Sequence, residues 1–233
     1  MPPRTRGRGL NHLGVSPEPT TQDLVHVLRE PASEPEGALV LNHGRGADEH
    51  DLRGLLEELD PERRLLGVTP GAPLTGVPPG GRHWYLVPRV GYPDPETFAR
   101  SYALLTRSLD DLLASRGIGW ERTVIGGFSM GTVMSYAVGL GPGRPSPAAI
   151  LGFSGFIPTV EGWDPDLDGR EGLPLLIHHG RADPIMDVGF GRRAHELLSR
   201  VGLDVDYIET DAGHWIPPDV VPRAREVVAS ALA

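Results

Sequence analysis

Residues 121–131 read ERTVIGGFSMG, and residues 149–156 read AILGFSGF. Each is an apolar run that leads into a serine with glycine close by on both sides. The first copy, Gly127-Phe128-Ser129-Met130-Gly131, satisfies G-x-S-x-G and is followed by TVMSYAVGLG (132–141), a run of small and apolar residues. That order predicts a strand over 121–128, a sharp turn at Ser129 and a buried helix over 129–141. A reversal tight enough to thrust the serine outward brings the residues two before and two after it into collision unless both are very small. The helix N-terminus then favours negative charge beside the serine, and the Met130 N–H is free to donate to it. In the second copy Phe156 stands where the last glycine is needed, and Pro158 follows. Ser154 is therefore expected at the end of a neighbouring strand (148–155), lining the site wall, with Phe156 beside it as a substrate-binding residue.

Strand and helix signals alternate on both sides of this stretch. Strands are expected over 23–30, 38–44, 64–70, 173–180 and 203–210, and helices over 48–60, 96–117, 187–202 and 215–233. Runs such as ALVLNHG (38–44) are continuously apolar and end in glycine, as strands buried on both faces do. The helix over 96–117 repeats its apolar residues every three or four positions, and Gly117 closes it. This alternation predicts an α/β fold with a mostly parallel sheet and helices on both faces. Ligands in such sheets sit beyond the C-terminal ends of the strands. Residues 71–95 carry too many prolines and glycines for regular structure, and a loop of that length is usually functional. Residues 1–22 read as a flexible N-terminal segment, with Arg4, Arg6 and Arg8 on a solvated tail, and residues 23–233 as one domain.

Composition narrows the chemistry. The chain has 233 residues, 39% of them hydrophobic, with a formal net charge of -9. That balance argues against nucleic acid, which needs a basic face. No stretch is long and apolar enough to span a bilayer, so stable membrane insertion is not expected. The first residues lack the apolar core of a secretory signal, and the expected compartment is the cytoplasm. There is no cysteine and no lysine. Disulfides, thiolate nucleophiles, Schiff-base lysines, Ser-Lys dyads and P-loop lysines are excluded together.

A nucleophilic serine needs a base, and the base needs an orienting acid. In one recurring chain order the nucleophile is followed by Asp or Glu and then His. LPLLIHHGRADPIMD (173–187) offers Asp183 just past a strand. Asp187 is its rival, but it begins the next helix and can serve simply as a cap. DYIETDAGHWIPP (206–218) offers His214 past the last strand. Of the other histidines, His178 and His179 end a strand, where one of them reads as a buried structural residue. His83 lies in the long loop within reach of substrate, and His50 and His195 read as surface helix residues. An oxyanion hole needs a second N–H, and LNHGRGADEHDL (41–52) ends a strand in Gly-x-Gly. The backbone N–H of Arg45 is the candidate, with His43 as a packing residue holding the loop.

HGRGADEHDL, GFSMG, HGRADPIM and AGHWIPPD occur in that order, and together they resemble the phospholipase/carboxylesterase family. These are α/β-hydrolases that include the acyl-protein thioesterases. The resemblance runs from about residue 38 to the end. It implies the α/β-hydrolase fold, a triad of Ser129, Asp183 and His214, and oxyanion donors at Arg45 and Met130. GRHWYL (81–86) resembles, more loosely, the family's segment near the acyl pocket, which implies substrate-binding roles for Trp84 and Tyr85. Two positions depart from the family pattern. Met130 stands where Gln is often found, and Asn42 where Leu is common. A homodimer is common in the family, and nothing in the residues requires one.

The expected activity is hydrolysis of carboxylic esters through an acyl-enzyme, acting on a small-molecule ester or acyl substrate without a cofactor. Acyl thioesters and lysophospholipids would use the same triad. A nucleotide-binding reading of GGFSMG fails because Phe128 stands where the second glycine of G-x-G-x-x-G must admit a pyrophosphate. A metal site drawn from His43, Asp48, His50 and Asp51 lacks ligand spacing, so none is expected. A hydrolase-like binding protein without catalysis would carry a Ser129 that does not react with a fluorophosphonate.

Overall fold

A computed structural model describes residues 24–233. The reading of residues 1–22 lies outside the described residues. In chain order the elements are β1 (His26–Arg29), β2 (Gly37–Asn42), α1 (Arg53–Leu59), β3 (Leu65–Pro70), α2 (Pro95–Ser115), β4 (Thr123–Phe128), α3 (Met130–Gly139), β5 (Ala149–Phe153), β6 (Pro174–Gly180), α4 (Gly189–Arg200), β7 (Asp204–Thr210) and α5 (Val221–Ala231). The strands form one seven-stranded sheet in the order β1-β3-β2-β4-β5-β6-β7. β1 runs antiparallel to β3, and every other pair is parallel. This is the arrangement expected of an α/β-hydrolase fold.

The central strands are apolar throughout because both faces are covered. Side chains alternate between two cores. Val40, Ile125, Ile150 and Ile177 point to one face, where they meet Leu105 and Leu109 of α2, Val133 and Ala137 of α3, and Leu198 of α4. Leu39, Leu41, Val124, Leu151 and Leu176 point to the other, against Leu56 and Leu59 of α1 and Val221 and Val228 of α5. Each fully buried aliphatic side chain contributes about 1.5–3 kcal/mol of transfer free energy. Beneath α1, Arg29 and Asp60 form a buried ion pair. Arg29 also donates to the Leu56 carbonyl at 2.8 Å, so the buried charge is both paired and hydrogen-bonded.

The clearest helix of the sequence, α2, has a cap at each end. The Asp94 carboxylate accepts the Thr97 N–H at 2.9 Å, and Pro95 occupies the first turn. Gly117 turns the chain at φ +64°, and the Ile118 N–H returns to the Leu113 carbonyl. Two helices are shorter than expected. α1 starts at Arg53 rather than 48, because Asp48 accepts the His50 N–H in a side-chain turn while the Glu49 carbonyl is taken by the Thr69 hydroxyl. His50 therefore sits in a turn before α1. α5 starts at Val221 rather than 215, because Pro217 and Pro218 have no N–H to give to a helix.

Candidate active site

The C-terminal ends of β2, β4, β6 and β7 meet at one place, and each delivers one part of the site. β4 ends in Phe128 and α3 begins at Met130, so the whole reversal falls on Ser129, at φ 55° and ψ -116°. Positive φ is costly for a residue with a Cβ. The turn is held by close backbone approach. A Cβ on Gly127 would lie 2.6 Å from the Gly131 carbonyl carbon, and one on Gly131 would lie 1.9 Å from the Asn42 oxygen. Both outer glycines of the motif are therefore required by contact.

Three side chains expected to act together are adjacent. His214 Nε2 lies 2.9 Å from Ser129 Oγ, and His214 Nδ1 lies 2.6 Å from Asp183 Oδ2. The Asp183 side chain is fully buried, and its other oxygen accepts the N–H groups of Ile185 and Met186, each at 2.8 Å. With both carboxylate oxygens engaged, the imidazole is fixed with its proton on Nδ1 and its free Nε2 facing the serine. Asp187 accepts the Gly189 N–H at 2.8 Å at the start of α4 and takes no part in this chain of bonds. His214 also packs against Phe128, with ring centroids 4.7 Å apart.

His178 and His179 are both buried. His179 Nε2 donates to the Met186 carbonyl at 2.9 Å and sits 3.8 Å from Asp183 Oδ2. Burial pushes both imidazoles below their ordinary pKa, His178 to about 4. A neutral His179 supports the Asp183 loop without competing as a cation for its carboxylate.

The loop after β2 carries Gly44 and Arg45 to the cavity wall beside Ser129 and Met130. Among the described residues, neither the Arg45 N–H nor the Met130 N–H is engaged by a turn, loop or cap carbonyl. His43 fixes this loop from behind. Its Nδ1 donates to the Gly44 carbonyl at 2.7 Å, and its Nε2 accepts the Ala72 N–H at 3.0 Å. Burial lowers its pKa, consistent with a neutral packing residue. Both departures from the family pattern have partners. Met130 Sδ accepts the Trp84 N–H at 3.2 Å, which ties the long loop to α3. Asn42 donates to Ser135 Oγ at 2.9 Å, and Ser135 in turn reaches the Gly131 carbonyl.

The site opens into a cavity of about 380 Å³, within the range of small-molecule pockets. Tyr85 and Phe156 line it, as expected. Trp84 does not. It is fully buried behind the loop after β2, where its Nε1 donates to the His43 carbonyl at 2.9 Å and its ring lies 5.4 Å from that of His43. His83 is likewise buried, donating to the Val77 and Gly80 carbonyls, and it holds the long loop rather than facing a substrate. Ser154 is also buried and does not line the cavity. Val87, Tyr92, Ile185 and Met186 line the cavity without having been expected there. The signal for the last two was Pro184, which turns the chain just past Asp183. Trp215, next to His214, is 52% exposed.

The family model for phospholipase/carboxylesterase matches residues 25–231. The chain belongs to that family. Membership places it among esterase-type hydrolases. An acyl-protein thioesterase 1 of Debaryomyces hansenii is 30% identical over 147 residues, covering 58% of this chain and 62% of that relative. An acyl-protein thioesterase 1 homolog 1 of Dictyostelium discoideum is 22% identical, covering 83% and 90%. Among solved structures, esterase PE8 superposes with a TM-score of 0.78 at 27% identity, covering 90% of this chain and all of that one. Among the described residues, no helix is long and apolar enough to cross a membrane.

Proposed function

We propose that this family member hydrolyses carboxylic esters of small molecules in the cytoplasm, with Ser129 as nucleophile, His214 as general base and acid, and Asp183 as orienting acid. The observation that carries the reading is the continuous run from Asp183 Oδ2 through His214 to Ser129 Oγ, with contacts of 2.6 and 2.9 Å, at the wall of an apolar cavity. His214 Nε2 takes the Ser129 proton as Oγ attacks the acyl carbon. The tetrahedral oxyanion is held by the N–H groups of Arg45 and Met130, the latter opening α3. As the intermediate collapses, His214 gives the proton to the leaving alcohol, and the acyl group stays on Ser129. Water then attacks the acyl-enzyme, again losing its proton to His214, and releases the acid. The buried Asp183 carboxylate stabilises the imidazolium formed in each half.

Tyr85 and Phe156 supply apolar walls for the substrate, and burial raises the Tyr85 pKa above its ordinary value. Acyl thioesters are the second reading, favoured by the thioesterase names of two relatives. Hydrolysis of p-nitrophenyl esters from acetate to palmitate, compared with acyl-CoA and lysophospholipid, separates the two. Ester turnover that is abolished in Ser129→Ala is the expected result. Turnover confined to thioesters would move the assignment to the second reading. No turnover, with no fluorophosphonate label on Ser129, would overturn both.

A further inference from the structure

The oxyanion hole of the proposed mechanism needs two N–H groups from distant parts of the chain to point at one spot. Met130 offers its N–H from the start of α3, and Arg45 from the loop after β2. The peptide that carries the Arg45 N–H is held by its other end. Its carbonyl belongs to Gly44, and a trans peptide is planar, so fixing the oxygen aims the N–H the opposite way. The Gly44 oxygen accepts His43 Nδ1 at 2.7 Å. His43 Nε2 accepts the Ala72 N–H at 3.0 Å, so the neutral ring carries its proton on Nδ1. The preceding peptide is held as well, because the His43 carbonyl accepts Trp84 Nε1 at 2.9 Å. From its backbone the same tryptophan reaches the other donor residue, its N–H bonding to Met130 Sδ at 3.2 Å. Trp84 is fully buried and is itself braced. Two residues before it, the Arg82 carbonyl accepts the Gly46 N–H at 2.9 Å, and the Arg82 N–H donates to the Ala47 carbonyl at 2.8 Å. Residues 82–84 are thus laced to the loop after β2 on both sides of Arg45.

We propose that Trp84 is a positioning residue for the reaction: a brace that sets the distance and angle between the Arg45 and Met130 N–H groups, so that the oxyanion hole is formed before an ester arrives. This rests on the ester-hydrolase reading above, in which those two groups hold the oxyanion. Trp84 does not line the cavity and acts only through its neighbours. Its Nε1 fixes the start of the loop that carries one donor, and its backbone N–H anchors the residue that carries the other. Donors stabilise an oxyanion without reorganisation only when they are already aimed. Asp183 and His214 are held separately, by the Ile185 and Met186 N–H groups and by each other. Loosening Trp84 therefore weakens the tetrahedral state and leaves ground-state ester binding in place, which lowers kcat with little change in KM.

The test uses the whole chain, p-nitrophenyl butyrate, and an alkyl trifluoromethyl ketone whose adduct with the serine carries an oxyanion. Trp84→Phe keeps an aromatic ring and removes the Nε1 donor. It should lower kcat by about 10–100-fold, the scale of one misplaced donor, with KM within about threefold of the parent. The inhibition constant of the ketone should rise by the factor by which kcat/KM falls, a proportion that mere loosening of the core would not give. Met130→Leu removes the sulfur acceptor at nearly constant volume, and Met130→Gln offers an amide oxygen in its place. The leucine variant should lose about fivefold in kcat, and the glutamine variant less. A folded Trp84→Phe with unchanged kcat, or with its loss in KM alone, would overturn the proposal. Should Trp84→Phe not fold, a Met130→Leu variant no slower than Met130→Gln would overturn it. Ser129→Ala is run alongside. If it retains activity, the ester-hydrolase reading itself has failed. If it is dead while kcat in Trp84→Phe does not move, only the brace has failed.

Discussion

Ser129 and Ser154 end neighbouring strands in nearly the same backbone conformation, at φ 55° and 53°. Each extends the parallel ladder by one bond. The Ser129 N–H donates to the Phe153 carbonyl at 2.8 Å, and the Ser154 N–H donates to the His178 carbonyl at 2.9 Å. Yet Ser129 reaches the cavity, while Ser154 is buried with no hydrogen-bond partner for its hydroxyl among the described residues. A strained turn alone therefore does not make a serine available. The next residues along the chain decide it. After Ser129, Gly131 lets α3 turn back against the end of β2. After Ser154, Gly155 runs beneath Thr132, where a Cβ would lie 2.4 Å from the Thr132 Cβ. Thr132 belongs to the helix launched by the first serine, so that helix packs against the residues on either side of the second, Phe153 and Gly155.

Removing each hydroxyl in turn puts this difference to its most severe test. Ser129→Ala is expected to lower kcat for a p-nitrophenyl ester by about 10⁴–10⁶-fold, whereas Ser154→Ala stays within about twofold of the parent. Similar losses in both would mean that the second serine takes part in the chemistry. Replacing the acid as Asp183→Asn should cost about 10⁴-fold in kcat by leaving the imidazole in the wrong tautomer. A loss under tenfold in that variant would shift the acid role elsewhere. Completing the second motif by Phe156→Gly should create no second nucleophile, since Ser154 is fully buried and does not line the cavity. Intact-mass analysis after fluorophosphonate treatment should give a single label per chain, and two labels would refute the inaccessibility of Ser154.

The histidine at the foot of the second serine gives a smaller, pH-dependent effect. Burial holds His178 at about 4, below its ordinary 6.5, so between those values the unfolded chain binds a proton that the folded chain does not. Stability is then full above pH 6.5 and falls as the pH drops towards 4, by up to about 1.4 kcal/mol per unit. Urea midpoints for the parent and His178→Asn should converge as pH falls through this window, and parallel curves would count against it. The smallest effect concerns the unpartnered hydroxyl. Ser154→Ala removes a buried unsatisfied group and should leave stability unchanged or raise it by about 1 kcal/mol. A loss beyond that, in thermal unfolding, would mean that the Ser154 hydroxyl has a partner after all.

The strands, the serine turn, and the positions of Asp183 and His214 were legible because each rests on a local rule. Continuous apolar runs mark buried strands, and small residues flank a tight reversal. The same rule separated Gly131 from Phe156 and so separated the two serines. It did not reveal that both have positive φ, since the second copy lacks the glycine that marks the turn in the first. Trp84 and His83 were misplaced because residues 71–95 have no periodicity from which to read side-chain direction. In that loop, consecutive residues Trp84 and Tyr85 part company, the first bonded to the His43 carbonyl and the second at the cavity wall. The antiparallel direction of β1 was equally invisible, because four residues of strand pattern read alike in either sense. Helix starts at Arg53 and Val221 were blurred by a side-chain turn and by two prolines, both of which act at the boundary rather than along the helix.

Of the four tryptophans, Trp84, Trp120 and Trp163 are buried, and only Trp215 meets solvent, one residue from His214. A neutral collisional quencher such as acrylamide should therefore extinguish one indole in preference to the other three. That indole is carried by the residue next to His214, which lines the cavity. The protein therefore carries its own optical probe of the surroundings of His214, readable without a chromogenic substrate or an attached dye.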